Sequence, residues 1–147
     1  MIPPRTILVP TDFSKPAQAA LDYAIALAEK LDAKVHLLNV VDLQGFQVSD
    51  LGTSLTPETI NMIVSGNTGA LDRLAEARQA TGRIGELVLR TGDPHDVIGQ
   101  VAGQLNVDLI VMGTHGRRGI RQAMLGSVAD TIVRTARCPV LTVHAPA

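Results

Sequence analysis

Between positions 113 and 127 the chain reads Gly-Thr-His-Gly-Arg-Arg-Gly-Ile-Arg-Gln-Ala-Met-Leu-Gly-Ser, beginning where an apolar run stops and ending where a helical pattern starts. Gly113, Gly116 and Gly126 carry no side chain that would hold a backbone away from a ligand. Ser127 stands where a capping residue would open a helix, whose free N–H groups and positive dipole end attract phosphate. Arg117, Arg118 and Arg121 add positive charge with no acid among them. The chemistry is that of an anion cradle. The stretch lacks the Gly-Lys-[Ser/Thr] ending of a Walker A loop, and its first two glycines are too far apart for the dinucleotide G-x-G-x-x-G.

Other residues with chemical capacity are scattered. Asp12 follows the first apolar run and serves either as a turn residue before a helix or, with the glycine stretch nearby, as a ligand. His115 reads as an exposed loop histidine or as a phosphate contact. Asp42 and Asp93 also follow strands, yet both suit turn or capping work better. His36, His95 and His144 show no ligand spacing with Cys138 or with paired acids, so no metal site of protein ligands is predicted. No Ser-His-Asp or Cys-His arrangement is evident, and no catalytic residue is assigned.

A cradle needs elements to hold it. Thr6 to Val9 is a short, largely β-branched run, the pattern of a strand buried on both faces, and Pro10 ends it. Ser14 caps a helix with Pro16 in its first turn and Ala17, Ala20, Leu21, Ala24, Leu27, Ala28 and Leu31 at helical spacing. Val35 to Val41 forms a second strand. Asp42 to Leu55 is a long connection, rich in glycine and small polar residues, placed to act as a lid. Thr56-Pro57 starts a helix weakened by Gly66 and Gly69 and stopping near Gly82. Ile84 to Leu89 alternates, as a strand nearer the sheet edge would, and Gly92-Asp93-Pro94 turns into the next helix. Val107 to Met112 is a fourth strand delivering the chain into the glycine stretch. From Ser127 a helix runs towards Ala136, and Val140 to Val143 makes a fifth strand.

Strands alternating with helices imply βαβ crossovers, hence a largely parallel sheet covered on both faces, and 147 residues suit one such domain. Ligands of such sheets sit outside the carboxyl ends of the strands, where the strand order reverses. Asp12, the Val40 region and Gly113 all lie at such ends. The composition excludes other classes. With no Trp, one Tyr and two Phe there are no aromatic platforms for single-stranded nucleic acid. Thirteen basic and fourteen acidic residues give no global field towards nucleic acid or an anionic membrane. Cys138 is the only cysteine, so a reducing, cytoplasmic setting is expected, with the thiol buried and structural. No signal peptide or membrane span is read.

The chain resembles the universal stress proteins, specifically their ATP-binding branch. That family's G-x2-G-x9-G-[S/T] signature is met by Gly113, Gly116, Gly126 and Ser127 with both spacers intact. The likeness extends over Ile7-Leu8-Val9-Pro10-Thr11-Asp12-Phe13-Ser14, Leu38-Asn39-Val40-Val41 and Arg137-Cys138-Pro139-Val140-Leu141. It implies an α/β fold, a single-domain doubly wound five-stranded parallel sheet of order 3-2-1-4-5 with helices on both faces. It further implies ATP as ligand, with Val40 meeting adenine and Asp12 meeting the ribose or a phosphate-bound Mg²⁺. Gly113, Gly116, Gly126, Ser127 and Val128 would line ribose and phosphates, with Pro10, Thr11 and Met112 nearby. His115 and Arg117 are spacer positions whose roles the resemblance leaves open, although both join the candidate set. A side chain added at Gly113 or Gly126 is expected to enter the ligand's space and abolish binding while leaving the fold intact.

In the resembled family the last strand pairs with its copy in a second subunit. Val140, Leu141, Thr142 and Val143 form such an edge, and the three small residues after Val143 and His144 are too few to cover it, so a homodimer is expected. Three functions remain in view: a nucleotide-responsive stress regulator that holds ATP, a slow ATPase or nucleotidyl-transfer enzyme using the same cradle, and a dimeric scaffold with an empty site, as in members of the resembled family that lack the motif this chain has. Phosphoryl transfer needs an oriented nucleophile and positioned charge, and beyond Asp12 and His115 the sequence offers no candidate base. Binding is therefore preferred to turnover.

Overall fold

A computed structural model of the chain describes residues 2–44, 55–115 and 125–145. Gly116 and Arg117, with Arg118 and Arg121, lie outside the described residues, as does most of the 42–55 connection. The elements are β1 (Thr6–Pro10), α1 (Lys15–Leu31), β2 (Lys34–Val41), α2 (Pro57–Glu76), β3 (Ile84–Thr91), α3 (Pro94–Gln104), β4 (Leu109–Gly113), α4 (Ser127–Thr135) and β5 (Val140–Val143). A 3₁₀ turn, Gln79–Thr81, closes on Gly82 at φ 71° before β3.

The five strands form one parallel sheet in the order β3-β2-β1-β4-β5. From β1 the chain steps outward through β2 to β3, then crosses back to build β4 and β5 on the other side. The crevice between the carboxyl ends of β1 and β4 is therefore the switch point, as the resemblance implied.

Alternation along β1 divides the core. Ile7 and Val9 pack with Ala20, Leu21, Ala24 and Ala28 of α1 and Leu71 of α2. Leu8 faces Ile98 and Val101 of α3 and Ile132 of α4 on the opposite side. Alanines on the inner face of α1 let that helix lie close to the sheet. Large aliphatic side chains such as Leu21 and Ile132, fully buried, contribute about 1.5–3 kcal/mol each.

Three helices begin as their sequences dictate. Ser14, Thr56 and Asp93 accept N–H groups of Ala17, Thr59 and His95, each with proline in the first turn. Helix α2 runs unbroken through Gly66 and Gly69. Two strand limits differ from expectation by two residues. β3 continues to Thr91 because it pairs with β2 as far as Val41. β4 starts at Leu109, where its register with Ile7 of β1 begins; just before it the Asp108 N–H donates to Thr6 O at 2.9 Å and the Asp108 carboxylate accepts the N–H groups of Arg5 at 2.9 Å and Thr6 at 3.0 Å.

Two scattered polar residues have structural work. His36 Nδ1 accepts the Glu86 N–H at 2.8 Å where the β2–β3 register shifts, and Gly85 leaves room for its ring. Cys138 packs against the α3–α4 core, and burial pushes its thiol above the usual range. No helix among the described residues is long and apolar enough to cross a membrane.

Candidate functional site

The turn after β1 is built from its own side chains. Thr11 Oγ1 accepts the Phe13 N–H at 3.0 Å and Asp12 Oδ1 accepts the Ser14 N–H at 3.0 Å, while Phe13 takes φ 66°. A bulky residue in left-handed backbone is costly and is held only where its surroundings over-determine it. Those surroundings include buried Asn39 of β2, whose Nδ2 donates to Thr11 O at 2.9 Å and whose Oδ1 accepts from Asn67 of α2 at 3.2 Å. Thr11 N–H also donates to Leu38 O at 2.8 Å. Asp12 is thus presented from a fixed turn at the mouth of the crevice.

The opposite wall is the β4–α4 connection. Buried Thr114 donates its N–H to Val143 O, and its hydroxyl lies 3.1 Å from His115 Nδ1 and 3.2 Å from His144 Nδ1. Gly126 N–H donates to Thr114 O, closing the two ends of the connection on each other.

Between these walls lies a cavity of about 450 Å³, within the range of small-molecule sites. Pro10, Thr11, Asp12, Val40, Met112, Gly113, His115, Gly126, Ser127 and Val128 all line it. A second cavity, about 470 Å³, opens between Lys34, Asp72, Glu76 and Ile84 at the amino ends of β2 and β3. That end of a parallel sheet carries no switch point, so the first cavity is the candidate site.

Three expectations need correction. Ser127 is the first residue of α4 and caps nothing: Gly126 is the N-cap, with no side-chain cap bond. The serine hydroxyl instead lies 3.3 Å from His95 Nε2. Nor do the described glycines chiefly make room for a ligand. A Cβ on Gly113 would meet the backbone of Pro16 at 2.8 Å, and one on Gly126 would meet Thr114 O at 2.9 Å. Substitution at either therefore disturbs the fold before it disturbs a ligand.

The third correction concerns an Asp-His-Ser arrangement, which is present. Asp93 Oδ1 lies 2.7 Å from His95 Nδ1, and His95 Nε2 faces Ser127. Packing of α3 on α4 joins residues far apart in sequence, and His95 and Asp42 both enter the cavity wall. The missed signal was the Gly92-Asp93-Pro94 turn, which follows a strand's carboxyl end as Asp12 does. Asp93 is held below the usual carboxylate range by hydrogen bonds from the His95 side chain and backbone. No group of His, Cys, Asp and Glu among the described residues is arranged to hold a metal by itself.

A parallel sheet covered on both faces, with a pocket at its switch point, defines a doubly wound α/β domain with a candidate ligand site. The chain belongs to the universal stress protein family, whose profile matches residues 4–144. Universal stress protein MJ0531 of Methanocaldococcus jannaschii is 33% identical over 143 residues, which cover 97% of this chain and 83% of that protein. The solved structure of MJ0577 from the same organism aligns with TM-score 0.83 at 27% identity, over 100% of this chain and 99% of that one. A universal stress protein solved in complex with cAMP aligns with TM-score 0.69 at 25% identity, over 97% and 98% of the two chains.

Proposed function

We propose that this chain is a nucleotide-responsive regulator that holds ATP, with Mg²⁺, in the crevice between β1 and β4. The carrying observation is the convergence of Pro10-Thr11-Asp12, Val40, Met112-Gly113 and Gly126-Ser127-Val128 on one cavity of nucleotide size. In this reading Val40 meets the adenine, Asp12 the ribose or the phosphate-bound Mg²⁺, and the first N–H groups of α4 the phosphates. Gly116 and Arg117, which the sequence adds to the candidate set, lie outside the described residues. The cAMP complex of a relative supports an adenine nucleotide as ligand. The metal would arrive with the nucleotide, its remaining ligands coming from Asp12, phosphate and water. The regulator works as a homodimer through β5.

Two measurements test the proposal. Mass spectrometry of small molecules released on denaturing the purified protein should find an adenine nucleotide. Calorimetric titration should show ATP binding at physiological concentrations and in preference to AMP and cAMP. Binding of none of these would refute the proposal, and preference for cAMP would replace ATP by the cyclic nucleotide.

A further inference from the structure

Among the described residues the cavity wall carries two carboxylates, Asp12 and Asp42, and neither lysine nor arginine. Only His95 and His115 can become cationic there. His95 is supported from behind, because Asp93 Oδ1 lies 2.7 Å from Nδ1 and also accepts the His95 backbone N–H at 2.9 Å. With Nδ1 engaged, Nε2 is directed across the cavity to Ser127 Oγ at 3.3 Å. Neutral, this imidazole keeps its proton on Nδ1 and accepts through Nε2; protonated, it donates through both nitrogens and Asp93 balances its charge.

In an acyl-transfer enzyme the same chain of groups would make Ser127 a nucleophile. A phosphate beside it reverses the outcome, because negative charge favours the imidazolium, and an imidazolium is a donor rather than a base. We propose that His95 is a proton-linked ligand for the terminal phosphates of the bound nucleotide. Binding draws one proton from solvent onto Nε2, which then donates to a phosphate oxygen and frees the Ser127 hydroxyl to do the same. This rests on the nucleotide reading above and adds to it a pH dependence and a preference for phosphate-bearing ligands.

Among the described residues, the other titratable and charged groups of the surrounding elements are Asp93 and Asp96 at the start of α3, Asp42 after β2, Asp12 after β1 and His115 after β4. On α4 Asp130 is paired with Arg134 at 3.2 Å.

Calorimetry of ATP and adenosine in buffers of differing ionisation enthalpy tests the proposal. ATP binding should take up a proton near neutral pH, and adenosine binding should not. ATP affinity should fall as pH rises through the imidazole range. His95→Gln should remove the uptake, flatten the pH profile and weaken ATP about tenfold, the loss of one charge-assisted hydrogen bond, while an unchanged far-UV circular dichroism spectrum certifies the fold. Asp93→Asn, which keeps a helix-capping side chain, should reduce the uptake. ATP binding without proton uptake, or uptake that persists in His95→Gln, would overturn this inference alone. Failure of wild type to bind either ligand would overturn the nucleotide reading with it.

Discussion

A Cβ added to Gly113 would stand 2.8 Å from the backbone carbon of Pro16 and 2.9 Å from its carbonyl oxygen, atoms that cannot swing aside as a side chain would. Gly113→Ala should therefore cost about 1–3 kcal/mol of stability by forcing α1 away from β4. Gly99, inside α3, has open space around its Cβ position, so Gly99→Ala should stabilise by about 0.5–1 kcal/mol through helix propensity alone. Urea denaturation of the pair reads both signs, and a Gly113→Ala protein as stable as wild type would refute the contact. The glycine spacing was legible in the sequence because it is a local pattern. Its cause was not, since Pro16 reaches Gly113 only through the packing of α1 on β4. His95 was hidden for a like reason: its capping role under Asp93 is local, whereas its place opposite Ser127 depends on how two helices meet.

At the scale of the element, the caps and prolines of α1, α2 and α3 were readable because each is completed within a few residues. The role of Asp108 was not, because it acts at a distance. Its carboxylate gathers the N–H groups of Arg5 and Thr6 and the Thr6 hydroxyl, tying the first residues of β1 to the entry of the strand beside it. The backbone N–H of Arg5 is the largest reason this carboxyl sits below the usual carboxylate range, with Thr6 adding to it. A folded-state value below the unfolded one stabilises the fold fully above the ordinary carboxylate range, and the gain is lost as pH falls through the folded value. Asp108→Ala should cost about 1 kcal/mol near neutral pH, a modest figure because the carboxylate is exposed and solvent screens it. Urea midpoints for the two proteins should converge in acid below about pH 4. A gap that stayed constant with pH would mean the carboxylate charge contributes nothing.

The whole molecule presents two sheet edges, and they differ in chemistry. β3 carries Glu86 and Arg90 along its length, charges of the kind that discourage strand addition. β5 reads Val-Leu-Thr-Val, and all four residues are only half-buried. Its inner edge pairs with β4 from Val140 to Val143, and no described strand pairs with its outer edge. Leu141 and Val143 pack towards the α1 side of the sheet and Val140 towards the α3–α4 side, so the strand is anchored on both faces. A second copy related by a two-fold axis would add its own β5 antiparallel, each strand supplying the other's missing hydrogen bonds. Thr114 links this edge to the candidate cavity, since its N–H bonds Val143 O and its hydroxyl lies between His115 and His144. Sedimentation equilibrium of the wild-type protein should give a dimer at micromolar concentration. Thr142→Pro removes a backbone donor from the strand, and Leu141→Lys puts a charge on the sheet face, beside the position that a neighbouring strand's side chains would take. Thr142→Pro should leave monomer, and Leu141→Lys should weaken association with less change at the cavity. Wild-type protein that sediments as monomer throughout a micromolar dilution series would sink the dimer, and a dimer untouched by both substitutions would move the interface to another face.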